Sequence, residues 1–321
     1  MISILPLLFF VILNLLPLGF KNKKIFWWGA AIIFISYQRF LGLDGDFIRY
    51  QEYLTYISPF MYPEFLYYGV THFLFIVFNS EQLTFLLIDF VCLWLIFRSS
   101  DSMPVHLKYL YLFVLVSSFW FVLGTQNVYR QFVASVFLLR AISLHEEKKA
   151  LYFVVMAFFI HNASVFFAPL VFVSVIKSIK VKYLLYFILF LGSFSFFLVY
   201  SLGLVERLKS NIDTGFDLSM IYIAMILMFS VVLLVVKRRL VKGSFFVIYK
   251  ILFPLSAMIP LSFTNGSTAS ERIFIYFVPI FIYYIFYYCD LNSIKNKFLP
   301  SCVFIIFCLP VLFFPSTRGF L

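Results

Sequence analysis

The sequence predicts an all-α, polytopic integral membrane protein that forms a single transmembrane domain over residues 1–321. The chain is 64% hydrophobic and only 12% charged, whereas a soluble domain carries about 25% charged residues. Such a composition cannot cover a water-facing surface. Long apolar runs with short basic clusters between them are typical of helices that cross a bilayer. No polar stretch is long enough to fold as a separate domain.

The apolar runs predict 10–12 membrane segments, including re-entrant or broken helices. They lie at 2–20, 25–41, 63–78, 83–97, 107–123, 128–144, 150–176, 183–204, 218–236, 245–262, 272–288 and 298–314. The first run has no basic start and no small-residue cleavage site. It is therefore interpreted as a retained span and not as a signal peptide.

The basic residues mark the loops between these runs. A net charge of +11 is explained by the positive-inside rule, and nucleic-acid binding is not indicated. The cysteines lie in apolar runs without ligand spacing, which favours neither a zinc site nor a disulfide framework. They are Cys92, Cys289, Cys302 and Cys308. The sequence therefore predicts neither a metal ion nor another cofactor.

Two runs do not fit a simple alternation of spans. Three apolar runs, 25–41, 63–78 and 83–97, lie between two basic clusters that should both be cytoplasmic, and this requires an even number of membrane crossings. We therefore expect the run 63–78 to be a re-entrant or amphipathic interfacial helix within an outer segment, 42–82. The run 150–176 has lysines at both ends and is interrupted by His161 and Asn162. Each half is too short for a bilayer core of about 30 Å, so we expect a hairpin with His161 near its tip.

Polar side chains collect on the predicted outer side of the membrane, in four segments. Several of them share a helical face because they are three or four residues apart. The candidates are Asp44, Asp46, Arg49, Tyr50, Gln126, Asn127, Arg130, Gln131, His161, Arg272 and Tyr276. An arginine flanked by three amides indicates a site, although an interfacial arginine can also extend its charge to the membrane surface.

One acidic residue lies inside an apolar run. Asp89 is about two turns deep within 83–97 and needs a partner, for which an arginine has the right charge. A structural ion pair is the favoured interpretation of this residue, with a place in the site as the alternative.

Several motifs together resemble one known family. They are NVYRQFVASVFLL at 127–139, a lysine pair, FFIHNASVFFAPLVF at 158–172, LDGDFIRYQEYL at 43–54, PEFLYYGVTHFL at 63–74 and ERIFIYF at 271–277. In this order they resemble the EpsG-like branch of the Wzy class of bacterial polysaccharide polymerases. In the 63–74 segment, Pro63 precedes Glu64 and the family's glycine is absent.

The resemblance implies a GT-C-like glycosyltransferase that polymerises O-antigen, capsule or exopolysaccharide. Such an enzyme transfers the growing glycan from polyprenyl pyrophosphate to a lipid-linked repeat unit on the periplasmic or outer face of the bacterial cytoplasmic membrane. Its partners are then the lipid-linked oligosaccharide and membrane lipid, together with a chain-length regulator and a flippase.

This chemistry assigns roles to the candidate residues. A guanidinium stays charged and forks onto phosphate oxygens, so Arg130 and Arg272 are expected to bind the pyrophosphate. His161 is the expected general base, with the carboxylates of Asp44 and Asp46 as alternatives. Asp46 is counted among the catalytic candidates. The expected substrate-binding residues are Asp44, Arg49, Tyr50, Gln126, Asn127, Gln131 and Tyr276.

Two other functions remain open at this stage. A flippase or transporter of lipid-linked oligosaccharides is the first alternative, although such proteins tend to contain internal repeats that are not evident here. A membrane O-acyltransferase is the second, because it also pairs a buried histidine with an asparagine. The arginine motifs fit a pyrophosphate better than a thioester.

Overall fold

The computed structural model describes residues 20–40, 50, 54, 64–126, 128–144, 147–175 and 275–287. Within these ranges every regular element is a helix. They are α1 (Phe20–Phe40), α2 (Phe65–Phe78), α3 (Glu81–Ser99), α4 (Val105–Ser117), α5 (Phe119–Gln126), α6 (Tyr129–Ser143), α7 (Ala150–Ile160), α8 (Ala168–Val175) and α9 (Ile275–Tyr287). Short 3-10 helices extend over Ser100–Ser102 and Asn162–Phe167. The predicted all-α class is confirmed for this part of the chain.

Helix α6 is the centre of the described structure. It packs against α3, α5, α7 and α8, and its residues are buried nearly all the way round. Small residues, among them Ala134, Ser135 and Ala141, are fully buried and let neighbouring helices approach closely. A helix that is buried on all faces belongs in the interior of a bundle. Residues near its start are therefore held from several sides.

Helices α2 and α3 form a tight helical hairpin. Asn79 closes α2 in the left-handed conformation, and the Ser80 side chain accepts a hydrogen bond from the backbone N–H of Leu83 at the start of α3. The 14 residues of α2 span about 21 Å, less than a bilayer core, which agrees with the short helix expected at 63–78. Its outward face is apolar, with Phe73 and Ile76 about two-thirds exposed.

Helix α3 has the length and composition of a membrane span. Together with the 3-10 helix that follows, it covers Glu81–Ser102. Among the described residues, this is the one helix that is long and apolar enough to cross a bilayer; the others are shorter or more polar. Exposed apolar side chains lie on α1, α2, α3 and α7, as a lipid-facing surface requires.

The apolar run 107–123 is not one continuous helix. The chain is extended at Ser118, which separates α4 from α5, and α5 continues to Gln126. The sequence does not predict this break, because neither glycine nor proline marks it. Residues 124–126, which follow the predicted run 107–123, are also helical, so α5 extends past the end of that run.

The run 150–176 breaks at His161, as predicted. Helix α7 ends at Ile160, His161 is extended, and a 3-10 helix leads into α8. Helices α7 and α8 contact each other across this break. The hairpin with His161 near its tip stays a prediction. The remaining predicted runs, 2–20, 183–204, 218–236, 245–262 and 298–314, lie outside the described residues.

Candidate active site

A carboxylate lies at the centre of the candidate site. Glu64 directly precedes α2, and its side chain does not cap that helix. One carboxylate oxygen, Oε2, accepts a hydrogen bond from Nη1 of Arg130. The other, Oε1, lies 3.5 Å from Nε2 of His161. Glu64 therefore joins α2 to α6 and to the break after α7.

Arg130 is the second residue of α6. Its Nη1 also donates to the Tyr68 hydroxyl at 2.8 Å, and its guanidinium carbon lies 5.6 Å and 5.9 Å from the ring centres of Tyr68 and Tyr50. The side chain is one-quarter exposed. Its Nε is buried and has no hydrogen-bond acceptor among the described residues. Arg130 thus keeps donor capacity beyond its bond to Glu64.

His161 is held on both sides of its ring. Its Nδ1 lies 2.8 Å from the hydroxyl of Tyr276, a residue of α9, and its Nε2 faces Glu64. Tyr276 in turn stacks on Phe167 of the 3-10 helix. The extended backbone at His161 ends α7 and turns the imidazole toward these partners. The result is a chain of contacts from Tyr276 through His161 and Glu64 to Arg130.

Three helix starts meet at this chain of contacts. Glu64 precedes α2, Arg130 lies in the first turn of α6, and His161 precedes the 3-10 helix. Backbone N–H groups in the first turn of an α-helix lack intrahelical acceptors, and the helix dipole there favours negative charge. With an arginine present, this arrangement suits an anionic group such as a phosphate.

A second arginine–carboxylate pair lies beside the first and is fully buried. Arg39 of α1 binds Asp89 of α3 through Nε at 2.5 Å and through Nη2 at 3.0 Å. Nη2 also donates to the carbonyl of Thr125, and the Tyr129 hydroxyl donates to Asp89 at 2.8 Å. The arginine partner expected for Asp89 is therefore Arg39, and the interpretation of Asp89 as half of an ion pair is confirmed.

A cluster of tyrosines separates the two pairs. The ring of Tyr129 lies under Arg39, 4.9 Å from its guanidinium carbon. Edge-on contacts join Tyr129 to Tyr50 and Tyr67, and Tyr67 to Tyr68, which binds Arg130. The two arginines are thus connected through aromatic rings and through the neighbouring residues Tyr129 and Arg130.

The structure brings together four of the predicted site residues, which are Arg130, His161, Tyr50 and Tyr276. Gln131 is next to Arg130 and buried, and its Oε1 has no hydrogen-bond donor among the described residues. Gln126 is the last residue of α5. The predicted residues Asp44, Asp46, Arg49, Asn127 and Arg272 lie outside the described residues.

Two residues of the site were not predicted from the sequence. Glu64 and Tyr68 both lie in the 63–74 segment that resembles the family, but neither was among the candidate site residues. The 63–74 motif pointed to this residue, because its single acidic side chain, Glu64, is the one that contacts Arg130. Within the described part of the chain, no three metal-binding side chains lie together.

Comparison with known protein families identifies the family of the chain. Residues 25–320 match the EpsG family, and the chain belongs to it. This family is related to the Wzy-like polysaccharide polymerases, and with the helical fold it indicates a membrane protein that acts in polysaccharide synthesis. Neither a curated protein nor a solved structure matches the chain.

Proposed function

We propose that this protein is a polysaccharide polymerase that transfers a growing glycan from polyprenyl pyrophosphate to a lipid-linked repeat unit. The observation that supports this most directly is the contact of Arg130 with Glu64 and of Glu64 with His161, at three converging helix starts. A fixed cation and a proton-accepting group are what glycosyl transfer from a pyrophosphate requires. Membership of the EpsG family supports the same reaction.

Arg130 is the proposed binding residue for the pyrophosphate. Arg130 keeps its bond to Glu64, and its buried Nε–H is the donor proposed for a phosphate oxygen. Since a guanidinium does not lose its proton, the positive charge stays in place as the leaving group gains negative charge. Arg272 is proposed as a second phosphate ligand, because it precedes Tyr276 by four residues and Tyr276 reaches the site.

The acceptor sugar is proposed to bind on the side of Glu64 and His161. Transfer requires a group that takes the proton of the attacking hydroxyl, and both side chains are partly exposed. The rings of Tyr50 and Tyr68 supply faces for sugar stacking beside Arg130. Further contacts to the glycan are proposed for Asp44, Asp46, Arg49, Gln126, Asn127 and Gln131.

The proposed protein has 10–12 membrane segments in a GT-C-like arrangement, with the site on the periplasmic or outer face of the bacterial cytoplasmic membrane. The excess of basic residues in the predicted cytoplasmic loops supports this orientation. The lipid-linked oligosaccharide and membrane lipid are the proposed ligands, with a chain-length regulator and a flippase as partners. The proposed reaction uses no metal ion or other cofactor.

The surface polysaccharide of a deletion strain tests this function. A polymerase mutant adds single repeat units to the final carrier and makes no ladder of longer chains, and the wild-type gene restores the ladder. Loss of all repeat units indicates a flippase instead. A full ladder that lacks acyl groups indicates an O-acyltransferase. Either of the last two results contradicts the proposal.

A further inference from the structure

We propose that Glu64 is the group that takes the proton from the acceptor hydroxyl, and that His161 is a positioning residue for this carboxylate. The inference rests on the proposed function, because it names the proton acceptor of that glycosyl transfer. It differs from the expectation based on sequence, in which His161 is the general base.

The contacts of His161 leave its ring without a lone pair for the substrate. A neutral imidazole has one N–H and one lone pair. With the proton on Nε2, the N–H lies beside Glu64, whose Oε1 is 3.5 Å from Nε2, and the lone pair of Nδ1 accepts the Tyr276 hydroxyl at 2.8 Å. Both nitrogens are then used by protein groups, and the same holds if the ring is fully protonated.

The other neutral tautomer is disfavoured by the charge on Glu64. With the proton on Nδ1, the lone pair of Nε2 faces the carboxylate oxygen Oε1 at 3.5 Å. Glu64 accepts a hydrogen bond from Arg130, so its oxygens act as acceptors, and two electron-rich atoms would face each other. Only a proton on Nε2 makes this contact attractive.

Glu64 has the acceptor capacity that His161 lacks. An ionised carboxylate has two oxygens and about four lone-pair positions. Arg130 uses one position on Oε2, and His161 faces Oε1. The remaining positions can accept the proton of a sugar hydroxyl. Carboxylates also act as the general base that activates the nucleophile in inverting glycoside hydrolases.

The proposed step balances without a further reactant. The acceptor oxygen forms a bond to the anomeric carbon of the donor, and the bond from that carbon to the pyrophosphate oxygen breaks. The proton of the acceptor hydroxyl goes to Glu64. The pyrophosphate leaves with the bonding electron pair and remains beside Arg130. Throughout this step, His161 donates from Nε2 to Glu64 and is itself fixed by Tyr276.

A matched set of variants distinguishes the proton acceptor from the residue that positions it. Purified wild-type protein and single variants are reconstituted in liposomes. The substrate is lipid-linked single repeat units extracted from the deletion strain. Initial rates give kcat and KM, and thermal unfolding in detergent shows which variants are folded. Elongation by the wild-type protein tests the proposed function itself, independently of the variants.

The expected results differ between the two residues. Glu64→Gln still accepts a hydrogen bond from Arg130 but does not take the proton, so kcat falls by about 10²–10⁴-fold with little change in KM. His161→Gln can donate to Glu64 and accept from Tyr276, so its rate stays within about tenfold of wild type. His161→Phe does neither, and misplacement of Glu64 lowers its rate by about 10²-fold.

Two outcomes overturn the inference while the wild-type protein is active. One is a Glu64→Gln rate within tenfold of wild type. The other is a His161→Gln rate as low as that of His161→Phe, because only a lone pair on the ring would then explain the loss. If Glu64→Gln does not fold, Glu64→Asp is compared with Glu64→Asn, because these two side chains have the same length and only Asp can act as a base. The Asp variant must then be the faster by about 10²-fold or more.

Discussion

The two arginine–carboxylate pairs of this protein differ in how fully they are closed. The side chains of Arg39 and Asp89 are at most 1% exposed and share two hydrogen bonds. Arg39 also donates to a backbone carbonyl, and Asp89 accepts from a tyrosine hydroxyl. The side chains of Arg130 and Glu64 are 25% and 12% exposed, and their bond uses one guanidinium nitrogen. The first pair is closed to solvent and is called the closed pair below. The second pair, called the open pair below, is partly exposed, and its arginine has a donor that another ligand can use.

The positions of the two pairs explain why they occur together. Tyr129 binds Asp89 of the closed pair, and the next residue, Arg130, belongs to the open pair. Arg39 also binds the carbonyl of Thr125, near the end of α5. The closed pair therefore fixes the chain on both sides of the short connection from α5 to α6. This fixes the backbone that carries Arg130.

The largest effect is expected from opening the closed pair. Asp89→Ala leaves the Arg39 charge buried without its carboxylate, which typically costs about 3–5 kcal/mol of stability. We expect little folded protein, measured as the amount extracted in detergent and its thermal unfolding temperature. The control is the double variant Arg39→Met/Asp89→Leu, which removes both charges and should recover much of the loss. Normal yield of Asp89→Ala alone would contradict the assignment.

The open pair should respond in activity and not in stability. Arg130→Lys keeps the charge but loses the planar set of donors, so we expect a fall in polymerisation rate of about 10²–10³-fold at normal protein level. Arg140→Lys is the matched control, since it makes the same change at the other end of α6, where Arg140 binds the carbonyl of Arg98. Equal rates for the two variants would reduce Arg130 to an interfacial anchor.

Much of the open site could be predicted from the sequence because polar groups are rare in apolar runs. Arg130, His161, Tyr50 and Tyr276 were chosen on that ground, and the structure brings them together. The break at His161 was also predictable, because two polar residues interrupt a run too long for one crossing and too short for two.

The two ion pairs and the break at Ser118 depend on tertiary packing, which the periodicity of the sequence does not predict. Glu64 precedes Arg130 by 66 residues, and Arg39 precedes Asp89 by 50, so no helical spacing links the members of either pair. The break at Ser118 has no glycine or proline to mark it. Tyr50 shows the same dependence, because it is buried and its ring centre lies 5.9 Å from the guanidinium carbon of Arg130, a residue far along the chain.

The connection between the pairs can be disturbed without touching a charge. A Cβ atom on Gly124 would lie 2.6 Å from Cδ2 and 2.8 Å from Cβ of Phe132, at the contact of α5 with α6. Gly124→Ala should therefore cost about 1–3 kcal/mol of stability through overpacking. Thermal unfolding in detergent measures it. Gly69→Ala is the control, because a Cβ there meets nothing within 4 Å. Equal unfolding temperatures for Gly124→Ala and Gly69→Ala would show that α6 can move to make room for the added Cβ atom.

A smaller effect is expected from the tyrosine that completes the closed pair. Tyr129→Phe removes the hydroxyl that donates to Asp89 at 2.8 Å and leaves the ring that packs under Arg39. The cost should be about 0.5–1.5 kcal/mol, the usual contribution of one hydrogen bond. A shift in unfolding temperature as large as that of Asp89→Ala would mean that the hydroxyl, and not the ion pair, holds this region together.

The smallest effect is expected at an exposed ion cluster, which shows what burial adds to the other two pairs. Asp101 contacts Arg98 at 3.1 Å and Lys108 at 2.8 Å, and Arg98 and Asp101 are 49% and 37% exposed. Water and salt screen such charges, so Asp101→Asn should change stability by about 0–1 kcal/mol. Thermal unfolding at low and high salt measures this, and the small difference from wild type should shrink further as salt is added. A loss comparable to that of Asp89→Ala would show that exposure does not rank these ion pairs, and the distinction between the closed and open pairs would lose its physical basis.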